Sequence, residues 1–136
     1  MTRIFAPAIL AFSLFLFSCN SGPGPGGQAM ITGKIYANSY TVNNNFTTYA
    51  KTDSGYAANV SVYLVYGDDP TYGDNVKTGP DGTYQFKYLR KGKYKVYAYS
   101  FIYTRATTDS AVVVETEITG KKDNSQLKDI VVNLKQ

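Results

Sequence analysis

Apolar side chains recur at every second position over most of the chain beyond residue 30, and a period of two is the signature of strands. Ile31, Gly33, Ile35 and Ala37 share one face of the run Ile31–Ala37. Ala58, Val60, Val62, Leu64 and Tyr66 alternate with Asn59, Ser61, Tyr63 and Val65 in a second run. Thr83–Tyr88 forms a third, with Tyr84, Phe86 and Tyr88 on one face. Lys93–Tyr103 is a long fourth, Ala111–Ile118 a fifth, and Ile130, Val132 and Leu134 mark a closing strand. Turn residues separate these runs, and no stretch repeats with the 3.6-residue period of a helix. Short strands without helices predict an all-β fold, a single β-sandwich over residues 30–136. The stretch from Asn38 to Tyr56 is longer and richer in Asn and Thr than a tight connection requires. It holds either an extra hairpin or a mobile loop.

The middle of the chain carries a more specific pattern. Thr78-Gly79-Pro80-Asp81-Gly82-Thr83-Tyr84-Gln85-Phe86 leads through Leu89 to Gly92-Lys93-Tyr94-Lys95-Val96. This arrangement resembles the carboxypeptidase-regulatory-like family, and the upstream Ala58-x-Val60-x-Val62-x-Leu64 and Gly33-x-Ile35 fit it as well. The resemblance implies a transthyretin-like (Ig-like, prealbumin-type) sandwich and covers roughly residues 30–104. Every matched position has a structural purpose. Asp81-Gly82 suits a tight turn, because Gly takes positive φ freely and Asp bonds its own backbone. Gly92 turns the chain before the fourth strand, Leu89 plugs the core end, and Tyr94 and Val96 point inward on a period-two strand. In the carboxypeptidases this module is an accessory to the catalytic domain, so no peptidase residue carries over.

The N-terminus reads differently. Arg3 precedes an apolar run from Ile4 to Phe17, interrupted only by Pro7 and Ser13. A positive start, an apolar run of this length and a small residue at its end describe a secretory leader, and the run is short for a transmembrane helix of about 20 residues. Leu16-Phe17-Ser18-Cys19 contains the chain's single cysteine and resembles the lipobox of bacterial lipoproteins. That resemblance implies cleavage after residue 18, recognition through Leu16, Phe17 and Ser18, and a diacylglyceryl thioether on Cys19. In Gram-negative cells it implies palmitate-type acylation and residence in the cell envelope, at the outer membrane, with the leaflet open. The competing interpretation is an uncleaved membrane anchor. Residues 19–29 (Cys19 followed by Asn20-Ser21-Gly22-Pro23-Gly24-Pro25-Gly26-Gly27-Gln28) read as a flexible lipidated tether. A sole cysteine leaves no disulfide.

Histidine is absent, so Ser-His-Asp and Cys-His catalysis are both excluded. No free thiol or imidazole remains for zinc, and the tether glycines follow no strand and open no helix, as a phosphate cradle would require. No cofactor is expected beyond the lipid. Asp68, Asp69 and Asp74 crowd a Gly- and Pro-rich segment whose oxygens would suit calcium, although the spacing is not that of an EF-hand loop. The plainer interpretation is a solvated turn. The sequence therefore predicts no enzyme.

Surface features point to binding. Tyr97, Tyr99, Phe101 and Tyr103 fall on the face of the fourth strand opposite Tyr94, Val96 and Ala98. That row is covered by the Asn38–Tyr56 segment, contacts an envelope protein, or stacks sugar rings. Arg90, Lys91 and Lys93 cluster on one turn and form a candidate basic tip for anionic lipid or polysaccharide, or a solvated turn. Export excludes a nucleic-acid partner, and the modest net charge of +4 gives no reason to seek one. Asp109-Ser110-Ala111 resembles an O-glycosylation acceptor of some gut bacteria, with Ser110 as the acceptor, and equally reads as a turn-to-strand junction.

Overall fold

The computed structural model describes residues 22–43, 48–102 and 109–136. Leu16, Phe17, Ser18, Cys19 and Tyr103 lie outside the described residues. Nine strands follow in order: β1 (Pro25–Val42), β2 (Tyr49–Tyr56), β3 (Ser61–Tyr66), β4 (Asp74–Lys77), β5 (Thr83–Leu89), β6 (Gly92–Phe101), β7 (Asp109–Ile118), β8 (Asn124–Gln126) and β9 (Ile130–Lys135). There is no helix among the described residues.

Two sheets face each other. One is built around β1, which pairs with β2, β5, β8 and β9; the other has the order β4-β3-β6-β7. The first half of β1 pairs antiparallel with β5 on one edge and parallel with β8 on the other. Its second half pairs with β2 and with β9 in the same way. The switch falls at Ile35, whose N–H donates to the Gly82 carbonyl and whose carbonyl accepts from Ala57 N–H. The Asn38–Tyr56 segment is thus a hairpin, not a loose loop, because the polar alternation of Ser39, Thr41, Thr52 and Ser54 lets it pair while exposed.

The alternation seen in the sequence fills the space between the sheets. Ala29, Ile31, Ile35 and Ala37 from β1 meet Val62 and Leu64 from β3, Tyr84, Phe86 and Leu89 from β5, and Tyr94, Val96 and Ala98 from β6; all are buried. Ile118, Leu127, Ile130 and Val132 complete the core. Burying an aliphatic or aromatic side chain of this kind stabilises by about 1.5–3 kcal/mol. Gly33 lies directly opposite Tyr84 in the register, and a Cβ there would collide with the Tyr84 ring. The glycine makes room for the largest residue class in the core. Thr78 is buried beside it for a polar reason: its hydroxyl donates to Ala57 O at 2.6 Å and accepts from Val60 N at 2.9 Å.

Two expectations need correction. Tyr88 does not share the buried face of Tyr84 and Phe86: its backbone turns to φ 60°, and the ring is 71% exposed. The twist places Leu89 inward instead, where it closes the core end. The expected tether also ends earlier than residue 29, because pairing and packing reach back to Gly22. Arg90 N–H donates to Gly24 O at 2.9 Å, Arg90 Nε donates to Gly22 O at 2.9 Å, and Pro25 is already in β1. Gly27 fits because a Cβ there would overlap the Leu89 backbone, and Pro23 packs where Gly92 leaves space. The buried Tyr94 hydroxyl fastens this segment, accepting from Gly24 N at 2.9 Å and donating to Arg90 O at 2.7 Å. Glycine and proline that read as flexible are held by a neighbour the local sequence does not reveal.

Replacing Tyr94 by Phe strips two buried backbone groups of their partner, so Tyr94→Phe is expected to destabilise by about 1–3 kcal/mol in urea unfolding, with faster hydrogen exchange at Gly24. A second expectation concerns alkali. Burial pushes the Tyr84 hydroxyl up to about 12 from the ordinary 10.0. A folded-state value above the unfolded one adds stability below pH 10.0 that disappears as pH rises through about 12. The thermal midpoint therefore falls across that window, and in Tyr84→Phe it falls less steeply.

Candidate functional site

Residues not used by the core of the second sheet point outward, and there the register assembles a cluster. Tyr63 on β3 stands opposite Tyr97 on β6, which stands opposite Val113 on β7. Tyr99 follows two residues along β6, opposite Ala111. Tyr72 joins from the β3–β4 connection. That loop is drawn in by Gly73, whose N–H donates to Leu64 O at 2.8 Å and whose missing Cβ would strike the Tyr66 ring.

Tyr63 touches each of the other three rings. Tyr63 and Tyr97 stack at 5.0 Å between centroids and 16° between planes. Tyr99 stands nearly perpendicular to both, at 5.6 Å from each. Tyr72 tilts against Tyr63 at 4.9 Å. Near-parallel rings at this separation form an offset stack, in which each gives part of one face to the other. The inner pair thus shares one face of each ring, and Tyr72 (50% exposed), Tyr99 (47%) and Val113 (50%) form the accessible rim. Burial raises the Tyr97 hydroxyl above its ordinary range, and the neighbouring Tyr99 adds to this.

Charge takes over toward the other end of the same face. Lys95 Nζ meets Asp68 Oδ1 at 3.0 Å. That hydrogen bond holds the Asp68 carboxyl below, and the Lys95 ammonium above, its usual value. Both groups are solvent-screened, so the pair orients the turn more than it stabilises the fold. Lys93 lies opposite Glu117 and Lys95 opposite Glu115 in the register, so the charges on this end are interleaved.

The structure separates the residues singled out in the sequence. Tyr97 and Tyr99 belong to the cluster. Phe101 does not: it is 9% exposed, covered by the Tyr49 ring of β2 at 5.3 Å, with Lys135 Nζ 5.9 Å from its centroid. The hairpin thus covers one end of the row and leaves the rest open. Tyr63 and Tyr72 went unnoticed as site residues. Tyr63 was detectable, since it alternates with Val62 and Leu64, whereas Tyr72 arrives through a loop with no period to mark it. The basic tip is dispersed, because Arg90 is engaged with Gly22 while Lys93 faces the outer sheet. Asp68, Asp69 and Asp74 do not converge: Asp68 turns to Lys95, Asp74 Oδ1 accepts from Asn75 N at 2.8 Å, and no group of three potential metal ligands forms among the described residues. Ser110 is exposed at the start of β7.

No family model matches the chain, and no curated protein does. Among solved structures, one from Pseudomonas aeruginosa, described as a "putative carbohydrate binding protein", is similar in outline. It is 13% identical, with a TM-score of 0.42 over 82% of this chain and 91% of that one. So loose a superposition has no bearing on what this chain binds.

The stacked pair should be energetically coupled. A double-mutant cycle of Tyr63→Leu and Tyr97→Leu is expected to give a coupling of about 0.5–1.5 kcal/mol by chemical denaturation, and Tyr99→Leu with Lys87→Ala, on the other sheet, close to zero.

Proposed function

We propose that the chain is a non-enzymatic lipoprotein of the cell envelope, anchored through Cys19, whose sandwich acts as a binding or accessory module making protein contacts. The observation that carries this is the tyrosine cluster on the outer face of the β4-β3-β6-β7 sheet. Tyrosine gives large contact area at low conformational entropy and keeps a polar tip for a partner's hydrogen bonds, which suits protein interfaces. A sugar platform needs ring faces turned toward the ligand, and the inner pair already shares one face of each ring with its neighbour. The half-exposed rings of Tyr72 and Tyr99 favour a second interpretation, a carbohydrate-binding module that clasps a sugar between rim residues.

Photo-crosslinking in intact cells separates the two. A benzophenone side chain at position 99 is expected to capture an envelope protein, and one at position 87, exposed on β5 in the other sheet, is expected to capture none. Absence of adducts at both 99 and 72, together with retardation of the protein in a polysaccharide gel that Tyr99→Ala abolishes, would replace the protein reading by the sugar one. Metabolic palmitate labelling tests the anchor separately: incorporation into the parent chain and none into Cys19→Ala is expected.

A further inference from the structure

We propose that the pole of the sandwich beside Gly22 is a second binding surface, one that receives the anionic phosphate headgroups of the bilayer. This rests on the lipid-anchor reading of Cys19. Gly22, held by Arg90, is three positions from Cys19, a reach of at most about 11 Å. A free tether of ten residues would let the domain roam. A segment pinned from Gly22 onward by Arg90 and Tyr94 instead sets one pole against the membrane.

That pole has the chemistry for such a neighbour. The β5–β6 turn brings Arg90 and Lys91, and the turn after β7 brings Lys121 and Lys122. Between them lies an open cleft of about 780 Å³, lined among others by Gly22, Pro23, Leu89, Arg90, Lys91 and Lys121. Two carboxylates stand nearby. Glu117 lines the cleft, whereas Asp123 is engaged within its own turn, accepting from Thr119 N at 3.0 Å and from Gly120 N. Lys91, Lys121 and Lys122 are exposed and make no ion pair within 4 Å among the described residues. The Gly120 N–H bond holds the Asp123 carboxyl below its usual value, however, and Lys91 is near enough to add to this. Arg90 is occupied in holding Gly22, but the lysine ammonium groups are attracted to an anionic leaflet and bond phosphate oxygens directly.

An independent feature marks the same pole. Tyr88, one residue before the Leu89 plug, holds a left-handed backbone that a bulky side chain avoids, and its ring is 71% exposed. An exposed amphipathic ring thus stands at the end of β5, two residues before Arg90, although it does not line the cleft. Tyrosine favours that position at a membrane–water interface, with its ring among the headgroups and its hydroxyl in water.

Lysine acetylation footprinting of the processed, acylated protein tests the proposal, with the protein reconstituted into vesicles of phosphatidylcholine alone or of phosphatidylcholine with phosphatidylglycerol. Lys91, Lys121 and Lys122 are expected to react several-fold more slowly on the anionic vesicles, while Lys51 and Lys77 at the far end react equally on both. In Lys91→Glu with Lys121→Glu, the protection of Lys122 should disappear while the protein still floats with the vesicles. Flotation with equal footprints on both vesicles overturns the headgroup surface and leaves the anchor standing. Protection by inorganic phosphate on neutral vesicles would assign the site to a soluble anion and overturn the membrane source. Flotation with neither vesicle removes the anchor and this surface with it.

Discussion

One strand has to satisfy four neighbours. β1 exchanges backbone hydrogen bonds with β5 and then β2 along one edge, and with β8 and then β9 along the other. Those strands do not form a sheet without it. Its inward residues are correspondingly constrained: Ala29, Ile31, Ile35 and Ala37 are all buried, and a shift of one residue would expose every one of them. Gly33 is the point where this constraint meets the opposite requirement, that Tyr84 also be inside. The strand gives up a side chain so that the sheet can hold a ring. Tyr84 then keeps a buried hydroxyl with no partner among the described residues, an unfavourable term that the packing of the ring outweighs.

The second sheet divides the labour of each residue pair along β6. Tyr94, Val96 and Ala98 build the core, while Lys95, Tyr97 and Tyr99 between them build the outer face. The tyrosine face is therefore no appendage. Its register is the register of the core, and the contact between Tyr63 and Tyr97 exists because Val62 and Leu64 are packed against the other sheet. Tyr72 is the exception, held by a loop whose approach depends on Gly73.

Wherever period two governs, the sequence was informative. The part of β1 from Ile31 onward and the strands beginning at Ser61, Thr83, Gly92, Asp109 and Ile130 all follow it, and the Asp81–Gly82 turn is equally legible, with Asp81 accepting from Thr83 N–H and Gly82 at φ 77°. What stayed hidden depends on contacts between residues far apart in the chain. β8 has only three residues and pairs through Thr32 with Asn124 and Gln126. The Gly22–Gly27 segment has the composition of a linker, yet Tyr94, some 70 residues away, supplies the hydrogen bond that fixes it. Phe101 looked equivalent to Tyr97 and Tyr99 because alternation sorts residues into faces and says nothing of what covers a face. Tyr49 covers it from another sheet. The arginine at the turn presented the same ambiguity, since a charge count cannot show that its side chain holds a backbone carbonyl.

The two faces relate to each other through β6. Gly92 begins the strand at the pole near Gly22, and Tyr97 and Tyr99 lie five and seven residues further along, about 17 and 23 Å away at the rise of an extended chain. If the pole rests on the bilayer, β6 runs away from the membrane and the tyrosine cluster looks sideways. A partner would then meet this domain in the plane of the membrane. That geometry favours another membrane-attached protein over one arriving from solution, because confinement to the same surface raises its effective concentration and lets a small contact suffice. The modest size of the cluster, four rings with two half-buried by their neighbours, fits a contact strengthened in this way.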